Sequence, residues 1–249
     1  MTRLILEAQN AASWKRKEKR HRRGTFPALA CGISYGKGQP EPMRLGGDKQ
    51  DLMQNLLAHR CFHRVAGFQS AALSTWFPHC YQAALHRARH LEELRPELMP
   101  NFDNSVYSCM TVKFGPQTWT YIHTDSKNDP CLPCAVTSGG KYNWKLGGHM
   151  VLWDFGVVLE FPPGTTILLS SAFLRHSNIP VSKGETRVSV TQYSAGSIRR
   201  WLEYGGRTEE ALRTEDPEAY AREMAKRSSR WKDALGMYST IEELKAGNN

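Results

Sequence analysis

The chain has 249 residues, of which 40% are hydrophobic and 10% aromatic, and its net charge is +9, a profile that fits one globular core with a leaning towards polyanionic partners. No apolar run approaches the roughly 20 residues needed to cross a bilayer, which excludes a membrane-spanning helix. The six cysteines (Cys31, Cys61, Cys80, Cys109, Cys131, Cys134) are too dilute for a disulfide scaffold and are expected as reduced thiols inside the cell.

Residues 1 to 50 read as a basic N-terminal arm and loop. The opening MTRLILEAQ places its apolar stretch before the main block of charge, the wrong order for a secretory signal. KRKEKRHRR at 15 to 23 then carries seven Lys or Arg against one Glu. Such a run is ordinarily a solvated, mobile segment; its sharper readings are a nuclear import signal or an arm that contacts phosphates. Residues 51 to 100 have apolar groups at helical intervals, with a break expected at Gly67 and a stop or kink at Pro78. From 101 to 205 the period becomes two. VYSCMTVKF, TWTYIHT, HMVLWDFGVVLEF, TTILLSSAF and TRVSVTQYSA are separated by the turn sequences GPQ, SGGK, PPG and PVSKGE. Residues 206 to 249 return to helical composition, with Pro217 early and Gly247 after the last apolar turn. The expected architecture is a single α+β domain, a sandwich or jelly-roll core flanked by N- and C-terminal helices.

Chemistry gathers in the β-rich segment. His123 and Asp125 stand two apart, so in a strand they face the same side and can reach one ion. His176, several strands further on, supplies a third ligand, giving the two-histidine, one-carboxylate set that non-haem iron(II) oxygenases use; zinc would accept the same donors. Arg187 follows on a strand whose alternation puts Arg187, Ser189, Thr191 and Tyr193 on one face and Val188 and Val190 on the other. A guanidinium there can hold a carboxylate through two parallel hydrogen bonds, which suits the far end of 2-oxoglutarate. H-x-D alone is commonplace, a lone histidine before Ser177 is ordinary in a loop, and Arg187 alone would read as surface charge. The ordered conjunction is rare. Cys131 and Cys134 have the spacing of half a zinc site, but no second C-x-x-C accompanies them. The basic helical residues Arg87, Arg89, Lys226, Arg227 and Arg230 read as solvated faces or as the flank of a nucleic-acid groove.

Over roughly residues 60 to 205, and most of all in GGHMVLWDFGVVLEFPPGTTILLSSAFLRHSNIPVSKGETRVSVTQYSAG, the chain resembles the 2-oxoglutarate and iron(II) dependent dioxygenases, in particular the TET/JBP-type nucleic-acid base oxygenases of mushroom-forming fungi. The resemblance implies a double-stranded β-helix that uses Fe(II), 2-oxoglutarate and O2. His123, Asp125 and His176 would hold the metal; Arg187, Ser189 and His149 would bind the co-substrate. Asn128 would hydrogen-bond a flipped base, Tyr193 would stack on it, and Asn104 would line the co-substrate or base site. Asn128, in NDP, also fits a turn. Ala195 stands where some TET enzymes have a histidine that contacts cytosine, so the implied activity is oxidation of the methyl group of 5-methylcytosine, N6-methyladenine or both. A same-fold hydroxylase acting on a protein side chain or small molecule is the alternative. The implied partner is nucleic acid, double-stranded DNA, met by a monomer in the nucleus.

Overall fold

The computed structural model describes residues 1–36 and 38–246, so the helix stop expected at Gly247 lies outside the described residues. Helices α1 (Thr2–Ala11) and α2 (Arg16–Lys19) lead into strands β1 (Ala28–Ser34) and β2 (Met43–Arg44), then helices α3 (Gln50–Leu57), α4 (Arg60–Trp76) and α5 (Pro78–Leu94). The β region follows with β3 (Cys109–Lys113), β4 (Cys134–Lys141), β5 (Met150–Leu152), β6 (Val157–Leu159), β7 (Thr166–Leu169), β8 (His176–Asn178) and β9 (Thr186–Tyr193). Helices α6 (Gly196–Glu203), α7 (Glu209–Glu215), α8 (Pro217–Ala225), α9 (Arg230–Gly236) and α10 (Ile241–Ala246) close the chain. No helix among the described residues is long and apolar enough to cross a membrane.

The strands form two antiparallel sheets, β2-β1-β3-β9-β4-β7 and β6-β5-β8. After β4 the chain crosses to the small sheet for β5 and β6, returns for β7, crosses for β8 and returns for β9, a path consistent with a jelly roll. Strand β9 sits centrally between β3 and β4, and its alternation sorts the chemistry. Val188 and Val190 are fully buried on the outer face with Ile5, Phe62 and Ala66, where each such large side chain contributes roughly 1.5–3 kcal/mol relative to exposure. Helix α4 covers that face: Gln69 Nε2 donates to Thr137 Oγ1 at 2.8 Å, and Gln192 Nε2 donates to Ala66 O at 3.1 Å. A second apolar cluster, Cys134, Val136, Met150, Phe161 and Leu169, joins the two sheets from inside and has Tyr193 at its margin.

Four expectations need correction. Gly67 lies inside α4 rather than at a break; a Cβ there would come 2.5 Å from Asn104 Nδ2, so the glycine admits a close contact. The interruption falls instead at Ala58 and His59, where the His59 ring accepts from Cys61 N and restarts the helix. Pro78 does end α4, sitting in the first turn of α5.

SGGK, expected as a turn, belongs to β4, which pairs with both β7 and β9. Its glycines answer to close approach: a Cβ on Gly139 would meet Thr2 Oγ1 at 2.6 Å, and one on Gly140 would meet Thr186 O at 2.1 Å. TWTYIHT is extended but joins no ladder, because its amides take different partners in turn: Thr118 N on Arg187 O, Tyr121 N on Arg23 O, His123 N on His176 O.

The segment expected to be a mobile arm is docked. Ile5 of α1 is fully buried in the same cluster as Phe114 and Val188, and ion pairs Lys15–Asp48 and Lys49–Glu18 tie the basic run to residues 48 and 49. Apolar burial by α1 anchors the run, so its charge cannot swing free.

Candidate metal centre and co-substrate pocket

His123, Asp125 and His176 converge, with one ligand atom from each lying within 4.8 Å of the others. Backbone pairing achieves this: His123 N donates to His176 O at 3.1 Å and His176 N to His123 O at 3.0 Å, while Asp125 N donates to Ser171 O at 2.7 Å. His123 Nε2 lies 3.7 Å from Asp125 Oδ1, and His176 Nε2 lies 4.0 Å from Asp125 Oδ2.

Each imidazole has its tautomer chosen by the backbone. Nδ1 of His123 is 2.7 Å from Tyr121 O, and Nδ1 of His176 is 2.9 Å from Leu174 O. A carbonyl only accepts, so both Nδ1 atoms carry the proton and both Nε2 lone pairs are left for a metal. Burial, followed by the neighbouring His176, pushes the pKa of His123 down to about 4, and burial also lowers that of His176. Burial alone would raise Asp125, but the Arg23 guanidinium and the two imidazoles outweigh it and hold the carboxyl below its ordinary value. Two neutral imidazoles and a carboxylate at neutral pH are the protonation states that a divalent cation requires.

The polar face of β9 supplies the second half of the site. Arg187 is 1% exposed; its Nη1 donates to Thr118 O at 2.7 Å, and its Cζ lies 5.4 Å from the Phe161 ring centroid. Its Nη2 and Nε, with Ser189 Oγ and Thr191 Oγ1, are buried without a hydrogen-bond partner. Leaving such groups unsatisfied costs about 1–3 kcal/mol each, more for charged ones. A carboxylate would satisfy the guanidinium, and the donor set fits iron(II), 2-oxoglutarate and O2.

The other expected site residues fall in different places. Tyr193 lies on the inner face with Arg187 and Ser189, its hydroxyl 3.5 Å from Thr111 Oγ1, and burial raises its pKa. His149 precedes β5 in the chain, with its carbonyl accepting from Ile179 N and its buried Nδ1 unpaired. Asn128 stays beside the metal ligands but is engaged, its Nδ2 donating to Ser171 Oγ at 3.0 Å. Asn104 is not brought to the triad: its Nδ2 donates to His63 O of α4, on the helical side of the large sheet. Cys131 and Cys134 diverge. Arg199 donates to Cys131 Sγ, while Cys134 belongs to the interior cluster; the metal-ligating groups that gather among the described residues are the triad.

Two residues escaped sequence reasoning. Arg23 donates to Asp125 Oδ1 from the far end of the basic run, and no periodicity links positions so distant in the chain. Lys113 stands opposite Ser189 in the β3–β9 register, and burial pushes its pKa down to about 8 against the pull of Asp125. Its alternating position in VYSCMTVKF was the available signal.

No protein-family model matches the chain, and no curated protein matches it. Among solved structures it is similar to NgTET1 in complex with 5mC DNA, at 11% identity and a TM-score of 0.53 over 78% of this chain and 69% of that one. It also aligns with a viral collagen prolyl hydroxylase from Paramecium bursaria Chlorella virus 1 in its 2OG complex, at 16% identity and a TM-score of 0.27 over 35% of this chain and 57% of that one. An oxidoreductase of the 2OG-Fe(II) oxygenase family from Burkholderia pseudomallei aligns at 16% identity and a TM-score of 0.38, over 76% of each chain. At such identities the likeness to NgTET1 is one of fold.

Proposed function

We propose that the protein is an iron(II) and 2-oxoglutarate dependent dioxygenase of the TET/JBP type, built on a double-stranded β-helix, that oxidises the methyl group of 5-methylcytosine, N6-methyladenine or both in double-stranded DNA. The observation that carries the reading is the convergence of the triad in a chain that also buries a half-satisfied guanidinium on β9. His123, Asp125 and His176 would hold iron on one side, leaving positions for 2-oxoglutarate and O2 on the other. Arg187, with Ser189, would receive the distal carboxylate of 2-oxoglutarate, and His149 would contribute its unpaired ring nitrogen. Iron, when bound, supplies the oxidising chemistry that removes hydrogen from an unactivated methyl group; the chain's part is to position that methyl and exclude water.

The substrate class draws on the fold shared with NgTET1, whose structure holds 5mC DNA, on the net charge of +9, and on Tyr193 at the inner face. An aromatic ring on the inner face of β9 suits a base removed from its stack. Nuclear location and action as a monomer belong to the same reading. Mass spectrometry of nucleosides tests it, after incubating duplexes carrying either methylated base with iron, ascorbate and 2-oxoglutarate, beside a His123→Ala, Asp125→Ala double variant. Oxidised or demethylated nucleosides that require both iron and 2-oxoglutarate are expected from the wild type alone. Untouched nucleosides with turnover of peptides or free amino acids would move the assignment to a protein or small-molecule hydroxylase.

A further inference from the structure

The last residue of the basic run enters the candidate metal centre. Arg23 Nη2 donates to Asp125 Oδ1, and the side chain carrying it is 37% exposed. The backbone around it is fastened to the extended segment that leads to His123 and Asp125: Tyr121 N donates to Arg23 O at 2.9 Å, and His21 and Gly24 exchange hydrogen bonds at 3.0 and 3.1 Å to close a turn. At Gly24 a Cβ would fall 2.7 Å from Trp119 O and 2.4 Å from the Phe26 ring, so the turn lies flush against residue 119. His21 Nε2 sits 3.0 Å from Phe26 O, and Phe26 is buried. Residues 21 to 26 therefore form a fixed strap.

A carboxylate that binds a metal through one oxygen leaves the other needing a donor, and the donor decides which oxygen faces the ion. Here Oδ1, 3.7 Å from His123 Nε2, accepts from Arg23, while Oδ2 lies 4.0 Å from His176 Nε2 with no such donor among the described residues. We infer that Arg23 is a positioning residue: it holds Asp125 so that a fixed oxygen is presented to the metal, and the basic segment serves the iron site rather than reaching for nucleic acid at this residue. The inference rests on the proposed metal centre. Two effects oppose each other. A cation beside a metal site repels the ion, whereas a donor that fixes the ligand lowers the ordering cost of binding. The Arg23 charge keeps Asp125 ionised and its side chain is 37% exposed, so its repulsion of the ion is weakened by solvent and the fixing of the ligand is the larger effect.

Titration of the metal-free full chain with Mn(II), a redox-inert stand-in for iron(II), separates the two effects by sign. Arg23→Gln is expected to weaken Mn(II) affinity about tenfold to a hundredfold, and Arg23→Lys to recover part of the loss. The melting temperature of both metal-free variants should stay near that of wild type, because the strap's backbone hydrogen bonds remain. Equal or tighter binding by Arg23→Gln would overturn the inference alone and mark Arg23 as a competitor of the ion. A wild type that binds no Mn(II) would overturn it together with the metal-centre reading. A Co(II)-loaded sample gives a second readout: its ligand-field spectrum should change in Arg23→Gln and return towards wild type in Arg23→Lys, and an unchanged spectrum would count against a positioning role.

Discussion

His123 and His176, far apart in sequence, exchange both of their backbone hydrogen bonds, 3.1 and 3.0 Å long, and bring their rings to a centroid separation of 4.3 Å. The ligands are thus placed by main chain, and the side chains can be removed without undoing the pairing. His176→Ala and His123→Ala should each abolish 2-oxoglutarate-dependent succinate formation while leaving the far-ultraviolet circular dichroism of the metal-free protein unchanged. Loss of the β signal in either variant would show that the imidazoles hold the fold together.

The pH dependence of the metal-free protein follows from the same rings. His123 titrates at about 4 when folded, against an ordinary value of 6.5, and His176 is lowered as well. Between those values the unfolded chain binds the extra proton, so the stability linked to His123 is fully present above about pH 6.5 and is lost as pH falls towards 4. The urea midpoint should drop between pH 7 and pH 5, and the drop should shrink in His123→Gln. An equal drop in both proteins would remove His123 as its source.

The proposed role of Arg187 is to set the affinity for 2-oxoglutarate. A lysine in its place keeps the charge but loses the planar fork aimed from β9. Charge-assisted hydrogen bonds contribute about 1.5–3 kcal/mol, so Arg187→Lys should raise the KM for 2-oxoglutarate by roughly tenfold to a hundredfold, with the Mn(II) affinity of the triad little altered. A change in metal affinity with no change in the KM for 2-oxoglutarate would contradict this division of labour.

The proposed role of Tyr193 is to stack on the substrate base. Stacking of a base on an aromatic ring contributes about 1–3 kcal/mol, so Tyr193→Ala should lower turnover of a methylated duplex by tenfold or more. Succinate formation uncoupled from the substrate should fall much less. Parallel losses in the two assays would assign the ring to packing with the interior cluster.

Two glycines, one in β4 and one in the turn before β7, make a stability prediction. Gly140 has φ +130°, and a Cβ would lie 2.1 Å from Thr186 O, so Gly140→Ala should cost about 2 kcal/mol or more. At Gly164, with φ +90° and open space around it, alanine should cost only the backbone strain, about 1–2 kcal/mol. Denaturant midpoints at unchanged m-values measure both.

Much of the site was legible because its signals are local. H-x-D places two side chains on one face, and the period of two in TRVSVTQY separates Arg187 and Ser189 from Val188 and Val190. What failed to show was decided by contact between distant segments. Gly139 and Gly140 look like a turn until Thr2 and Thr186 are seen against them. Gly67 looks like a helix break until Asn104 occupies the space of its missing Cβ. KRKEKRHRR reads as free charge because nothing in its spacing says that Ile5 buries the helix before it or that Arg23 meets Asp125. Asn104 was assigned by likeness alone, and its partner on α4 shows that it faces away.

The most direct measurement is an anomalous difference map at the iron edge from crystals grown anaerobically with Fe(II) and 2-oxoglutarate. One peak is predicted, bonded to Nε2 of His123, Nε2 of His176 and a single oxygen of Asp125, with density for a carboxylate on Arg187. An ion seated elsewhere, or a triad that stays empty under saturating iron, would contradict the account.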